Sequence, residues 1–150
     1  MRRTHVIAAG AFALAALGAG GAVMLSGAGD ETRDIARGAA LYAEHCASCH
    51  GANLEGAENW REPGPDGRLP APPHDATGHT WHHADRVLFE ITKYGSAVVI
   101  GGGYESDMIG FGDVMSDTEI RDVLAFIKST WPERERAFQA EITARSEAGG

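Results

Sequence analysis

The only two cysteines of this 150-residue chain lie two residues apart and run straight into a histidine, in "EHCASCHG". Nothing constrains the fold more, because the thirty residues that follow cannot pack a core of their own. Residues 51–80 hold Gly51, Gly56, Gly64, Gly67 and Gly78, together with Pro63, Pro65, Pro70, Pro72 and Pro73. That composition reads as one long loop, and a structureless loop of about thirty residues inside a compact domain is uncommon. Aromatic content is only 7%, and a domain of roughly 100 residues with so few aromatics has a thin core. A large non-protein core, wrapped by the loop and tethered at the cysteines, answers both problems.

The chemistry of C-x-x-C-H fits such a core. On a helical turn Cys46 and Cys49 share one side, and His50 follows four residues after Cys46. Two thiols can then hold one flat macrocycle as thioethers while the imidazole takes an axial position on its metal. This is the attachment pattern of a c-type haem. A thioredoxin-like dithiol would need a βαβ context, and no strand pattern longer than "AVVI" occurs. A structural zinc site would need two more well-spaced ligands, and no third cysteine exists. The expected cofactor is therefore one covalent haem c with its iron.

The iron needs a sixth ligand, or an open position for chemistry. Met24 lies in the apolar N-terminal run, which leaves Met108 and Met115. Met115 precedes "SDTE", a capping box with Ser116 as N-cap and Glu119 at N3, and it pairs with Ile120 as a hydrophobic staple. Met108 sits in a Gly-rich stretch with no such task, so His50 and Met108 are the expected axial pair. The segment "HDATGHTWHH" carries His74, His79, His82 and His83. Three readings are open there: a second metal site such as copper, a histidine in place of Met108, or a loop lining the haem edge. In the third, Trp81 and neighbouring polar groups bond the propionates.

Helical periodicity marks four segments. Residues 33–46 place Ile35, Ala39, Tyr42 and Cys46 on one face, with Thr32 as N-cap and a costly Gly38 inside. A close crossing with another helix would explain that glycine. Residues 84–94 place Val87, Leu88, Ile91 and Tyr94 on one face, with Gly95 to end the helix. A loop over residues 95–113 follows. Residues 116–130 place Ile120, Val123, Leu124 and Ile127 together, and Pro132 fits N1 of a last amphipathic segment. The fold class is all-α: three main helices and long loops around one covalent haem, then a C-terminal helical extension over 132–150.

Arg2 and Arg3 precede an uncharged run from Val6 to Gly29. Basic then apolar is the pattern of an export signal, and about 20 apolar residues also suffice to span a bilayer. Residues 1–29 are thus either a cleaved signal or an N-terminal anchor, with the domain at 30–131 on the periplasmic side in both cases. From Asp30 onward, 11 basic residues face 21 acidic ones, a net of −10. Nucleic acid is excluded as a partner by that charge; basic redox proteins are favoured.

"GAALYAEHCASCHGANLEG" followed by "MIGFGDVMSDTEIRDVLAFIKSTWP" resembles the class I monohaem cytochromes c, in their bacterial form. The resemblance covers residues 33–131. It rests on G-x3-[FY]-x3-C-x-x-C-H, an M-x-x-F loop and an L-A-[FY]-[IL] helix. It implies that Gly38 and Tyr42 cross Val123 and Phe126, and that Pro72 or Pro73 turns its carbonyl toward His50. The family's methionine loop usually reads M-P-x-F, and Ile109 stands here for the proline. The resemblance implies a one-electron carrier, not an enzyme, serving a donor and an acceptor in a respiratory or dehydrogenase chain. The competing expectations are a haem enzyme or gas sensor with a labile sixth ligand, and a cytochrome subunit of a larger complex.

Overall fold

A computed structural model describes residues 33–149. The segment read as signal or anchor, residues 1–29, and the proposed cap Thr32 lie outside the described residues. Among the described residues there are six α-helices: α1 (Ile35–His45), α2 (Ala47–His50), α3 (Asp85–Tyr94), α4 (Ser96–Ile100), α5 (Asp117–Ser129) and α6 (Glu133–Ala148). A 3-10 turn covers Thr80–His82. The described residues contain no strand, only an isolated antiparallel bridge between Gly95 and Ile109. The all-α expectation holds.

The frame is the crossing of α1 and α5. Asp34, not Thr32, caps α1, its carboxylate accepting from the Arg37 N–H at 2.9 Å. The buried stripe of α1 is Gly38 and Tyr42, continued by Cys46. Ile35, expected on the same face, is 41% exposed. It stands three residues before Gly38, about 60° around the helix from a stripe that repeats every four. On α5 the capping box forms as expected: Ser116 Oγ accepts from the Glu119 N–H at 3.3 Å, and Glu119 Oε2 accepts from the Ser116 N–H at 2.8 Å. Met115 and Ile120 are both buried, as a staple requires, and join Tyr42, Val123, Ile127 and Trp131 in one core.

Gly38 is the point of closest approach. A Cβ there would strike the Asp122 carbonyl and lie 3.1 Å from Phe126 Cβ. The expected opposite number, Val123, is buried beside this contact, but the backbone of Asp122 makes it. Tyr42 packs on Phe126 with ring centroids 5.5 Å apart. The Asp122 carboxylate is buried and fully employed: it accepts from the Asp34 N–H at 2.9 Å and from Arg37 Nε at 2.6 Å, and pairs with the Arg37 guanidinium. Arg37 is half exposed, so the pair adds less by Coulomb attraction than by leaving no buried carboxylate unsatisfied.

The remaining helices depart further from expectation. In α3 the buried positions are Leu88 and Thr92, preceded by Ala84, while Tyr94 is 51% exposed. Thr92 hides its hydroxyl by donating to the Leu88 carbonyl at 2.8 Å. Gly95, with φ +87°, ends the helix as expected, but the chain then winds into α4 where a loop was expected. Three successive glycines, Gly101–Gly103, at φ +68°, +62° and +83°, stop it. Pro132 is the N-cap of α6 and not its first helical residue.

α6 is not amphipathic in the expected sense. The residues it buries are Glu135 and Gln139. Gln139 Nε2 reaches the His83 carbonyl at 3.2 Å, Asp85 Oδ1 at 2.6 Å and Thr143 Oγ1 at 3.1 Å. Asp85 in turn accepts from Lys128 Nζ at 2.7 and 2.8 Å. A polar network thus fastens α6 to α3 and α5, within the same compact unit.

Gly38→Ala tests the frame. Alanine favours helix by about 1 kcal/mol, but a methyl pressed on a backbone carbonyl that cannot rotate away costs about 1–3 kcal/mol. The clash outweighs the propensity gain, and urea unfolding of the haem-loaded protein should show a net loss of up to about 2 kcal/mol; a gain in stability would contradict the close crossing.

Candidate functional site

The C-x-x-C-H segment is held from α1. The Cys46 N–H continues the helical ladder to the Tyr42 carbonyl at 2.9 Å, and the Cys49 and His50 N–H groups both return to the Cys46 carbonyl, at 3.2 and 2.9 Å. One turn, α2 together with its N-cap Cys46, therefore carries both thiols and the imidazole. Gly51, at φ +83°, ends it. Tyr42 locks the turn from the side, its hydroxyl 2.9 Å from the Gly51 carbonyl and 3.3 Å from that of His50.

The two thiols differ. Cys46 is buried and Cys49 exposed, and they are not bonded to one another. Burial first, and the neighbouring Cys49 second, push the Cys46 thiol up to about 11. Reactive redox cysteines are shifted the other way, toward thiolate. The buried Cys46 is not held as a thiolate.

His50 is buried, and its Nδ1 lies 2.8 Å from the Pro72 carbonyl. A carbonyl only accepts, so Nδ1 carries the proton and Nε2 keeps the lone pair. Burial pulls the imidazole below its usual value and the Pro72 bond opposes this only in part, which favours the neutral, ligating form. Of the two candidate prolines, the chain places Pro72 at His50. Pro73 does different work: its carbonyl accepts from Thr80 Oγ1 at 3.4 Å.

The Pro72–Pro73 backbone is seated between two glycines that sequence reasoning had counted only as loop residues. A Cβ on Gly56 (φ +70°) would stand 2.7 Å from the Pro72 carbonyl carbon, and one on Gly78 would strike the Pro73 carbonyl. Their signal in the sequence was spacing around a diproline, legible only once Pro72 has a partner. The next residue, His74, stacks on His50 with centroids 4.0 Å apart and planes 21° apart. Its ring is anchored by Thr80 Oγ1 at 2.8 Å, and its carbonyl accepts from Trp131 Nε1 at 2.7 Å. Burial, then the neighbouring His50 and His79, push His74 down to about 3, so it packs as a neutral ring.

The other histidines pair with neighbouring rings, and His79 meets His83 edge-on at 5.4 Å. His79 stacks on Trp60 at 5.3 Å, and His82 meets Trp81 at 3.8 Å. Among the described residues no group of three or more His, Cys, Asp or Glu side chains is arranged to hold a metal ion. No such group forms among His74, His79, His82 and His83, which one reading of the sequence took as a second metal site. Trp81 is half-buried, packs on Phe138 at 5.4 Å, and directs its indole N–H at the Ala76 carbonyl, 3.4 Å away.

Met108 and Met115 separate as their sequence contexts suggest. Met115 is 3% exposed in the core. Met108 is half-buried in a segment pinned on both sides: its N–H donates to Ser106 Oγ at 3.1 Å, and its carbonyl accepts from the Ser96 N–H at 3.1 Å. Gly110 lets this segment press on α3, since a Cβ there would lie 2.6 Å from the Lys93 carbonyl. The backbone bonds do the work that a proline at Ile109 would have done.

A family model described as Cytochrome c matches residues 35–131. The chain belongs to the cytochrome c family. No curated protein and no solved structure matches it. Cytochromes c hold an iron-containing haem c covalently, and they are in general electron-transfer proteins; the spacing of Cys46 and Cys49 fits that attachment. The residues present suit the group: two thiols and a tautomer-fixed imidazole on one turn, with the Pro72 acceptor cradled by glycines. The matched span ends at Trp131, so α6 is an addition that this cytochrome packs into the same unit.

Gly56→Ala should disturb His50 by pressing directly on the Pro72–Pro73 backbone. The methyl requires a positive φ and collides with backbone, so stability should fall by about 1–3 kcal/mol. The midpoint potential of the variant, read by spectroelectrochemistry, should move as well; an unchanged potential would mean that the Pro72 contact does not tune the site.

Proposed function

We propose that this cytochrome is a one-electron carrier whose haem is fixed by thioethers at Cys46 and Cys49 and ligated by His50 and Met108. The observation that carries this reading is the His50–Pro72 bond at 2.8 Å, which leaves one nitrogen of a buried, neutral imidazole free to ligate. When bound, the iron supplies a ferric/ferrous couple, and a thioether partner favours the ferrous state relative to two nitrogen ligands. The chain's own task is to hold the site still. Tyr42 fixes the turn, Pro72 fixes the imidazole, and the Ser96 and Ser106 bonds fix the Met108 backbone.

The role extends to an exported carrier in a respiratory or dehydrogenase chain, anchored through residues 6–29 or released by cleavage. The basic-then-apolar N-terminus supports export, because c-type haem attachment and a signal or anchor occur on one chain. The acidic balance of the domain suits basic donors and acceptors.

Two measurements test this. Intact mass of the purified protein should equal the chain plus one haem, and either Cys46→Ser or Cys49→Ser should leave a single thioether. Parent protein should show a low-spin ferric spectrum with a weak far-red methionine–iron band, lost in Met108→Ala with a fall in potential. A high-spin resting spectrum of the parent would instead indicate an open sixth position and a haem enzyme or sensor.

A further inference from the structure

The Pro72 carbonyl holds His50 at one atom, Nδ1. It does not by itself hold the plane of the ring. The last side-chain torsion of a histidine lies in a broad, roughly twofold well, and a carbonyl accepts hydrogen bonds over a wide range of angles. A flat contact on the face of the ring removes that freedom. His74 makes one: its ring lies on His50 with centroids 4.0 Å and planes 21° apart. His74 is itself anchored at backbone and ring. Its N–H donates to the Leu54 carbonyl at 2.8 Å, its carbonyl accepts from Trp131 Nε1 at 2.7 Å, and its Nδ1 lies 2.8 Å from Thr80 Oγ1. These anchors come from the start of the Gly/Pro segment, from just beyond α5 and from the 3-10 turn. Leu54, Thr80 and Trp131 are all buried. Leu54 also stands at φ +66°, a left-handed conformation rare for leucine. Such a conformation persists only where the surroundings over-determine it, and here it presents one carbonyl to the N–H groups of both His74 and Asp75. A leucine in place of His74 would fill comparable volume, but it has neither a flat face nor an edge that Thr80 can hold.

We propose that His74 is the positioning residue of His50: its stacked ring sets the plane of the axial imidazole, as Pro72 sets the tautomer. The inference rests on the reading of His50 as an iron ligand. The plane matters because an imidazole interacts differently with a metal along its ring plane and across it. Its orientation therefore decides how the unpaired electron density of ferric iron spreads over the haem. Stacked aromatic pairs hold one another in preferred geometries, and partners outside the ligand shell commonly fix how a ligand is turned. A ring walled on its face keeps one orientation in both oxidation states. An electron carrier gains from that, since a site organised beforehand has nothing to rearrange when its charge changes.

The test uses the full-length, haem-loaded chain in its ferric state. Pulsed electron paramagnetic resonance on protein grown with isotopically labelled histidine checks the ligand reading alone: an imidazole nitrogen should couple to the iron. If no such coupling is found, His50 is not a ligand and the proposal falls with that reading. Proton NMR then reads the haem methyl lines, whose positions follow the spread of unpaired electron density. In His74→Leu, which removes the flat face, the spacing of these lines should change and the lines should broaden. His74→Phe keeps a flat face and should return the parent pattern. The parent pattern in His74→Leu, even with lowered stability in urea, would reduce His74 to packing and overturn the proposal. So would a His74→Phe pattern displaced as far as that of His74→Leu, which would assign the effect to the polar edge of the ring. If His74→Leu takes up no haem, Thr80 decides. Thr80→Val leaves the His74 ring but removes its anchor and should displace the lines, while Thr80→Ser keeps the hydroxyl and should not. The same pattern in both Thr80 variants, whether parent-like or displaced, overturns the proposal.

Discussion

The fold hangs on the contact between Gly38 and the Asp122 carbonyl. Two helices far apart in sequence touch there at backbone distance, and no side chain other than hydrogen fits between them. From that contact one can follow α1 through Tyr42 to the Cys46–His50 turn, and α5 through Ile127 to Trp131 and thence to His74. Both arms converge on His50, one from its backbone and one through the ring stacked on it.

The long Gly/Pro segment is the counterpart of this frame. It contributes little apolar burial, yet it supplies the one acceptor that sets the His50 tautomer. Loop backbone is suited to that task because a proline carbonyl has no N–H beside it to draw it into a helix or sheet. Gly56 and Gly78 let neighbouring backbone close around it. What reads from composition as a plain loop is closely packed backbone where Pro72 and Pro73 lie between Gly56 and Gly78.

Much of this was legible beforehand, and the reasons for the misses are specific. The Ser116–Glu119 box and the Met115–Ile120 staple are local, so sequence spacing sufficed. The c-type attachment motif is short but chemically unambiguous in a chain with two cysteines. Thr32 lost the cap to Asp34 because Asp34 is held by Asp122, a partner 88 residues away that no local pattern reveals. Tyr94 fell on the helical stripe by spacing, yet α3 buries Thr92, whose hydroxyl bonds its own helix and so costs nothing to hide. The choice between Pro72 and Pro73 depends on which carbonyl meets a ring, and spacing says nothing about that. The histidine cluster invited a metal, but its rings pair with one another and with tryptophans, and no group of three ligating side chains forms among the described residues.

The mode of attachment of α6 has a consequence for how it can come off. A helix glued by leucines can slide a turn and still find grease, and it exposes a sticky face on leaving. α6 instead seats Gln139 among three acceptors at 2.6–3.2 Å. Shifted by one turn, that amide would lose the His83 carbonyl and the Asp85 carboxylate and keep only Thr143 of its own helix, so the docked register is specific. Once undocked, the helix presents amide and carboxylate groups that water satisfies, and Phe138, released from Trp81, is the one aromatic ring it gives up to water. Segment and domain are joined by a latch whose register is set by polar contacts more than by grease.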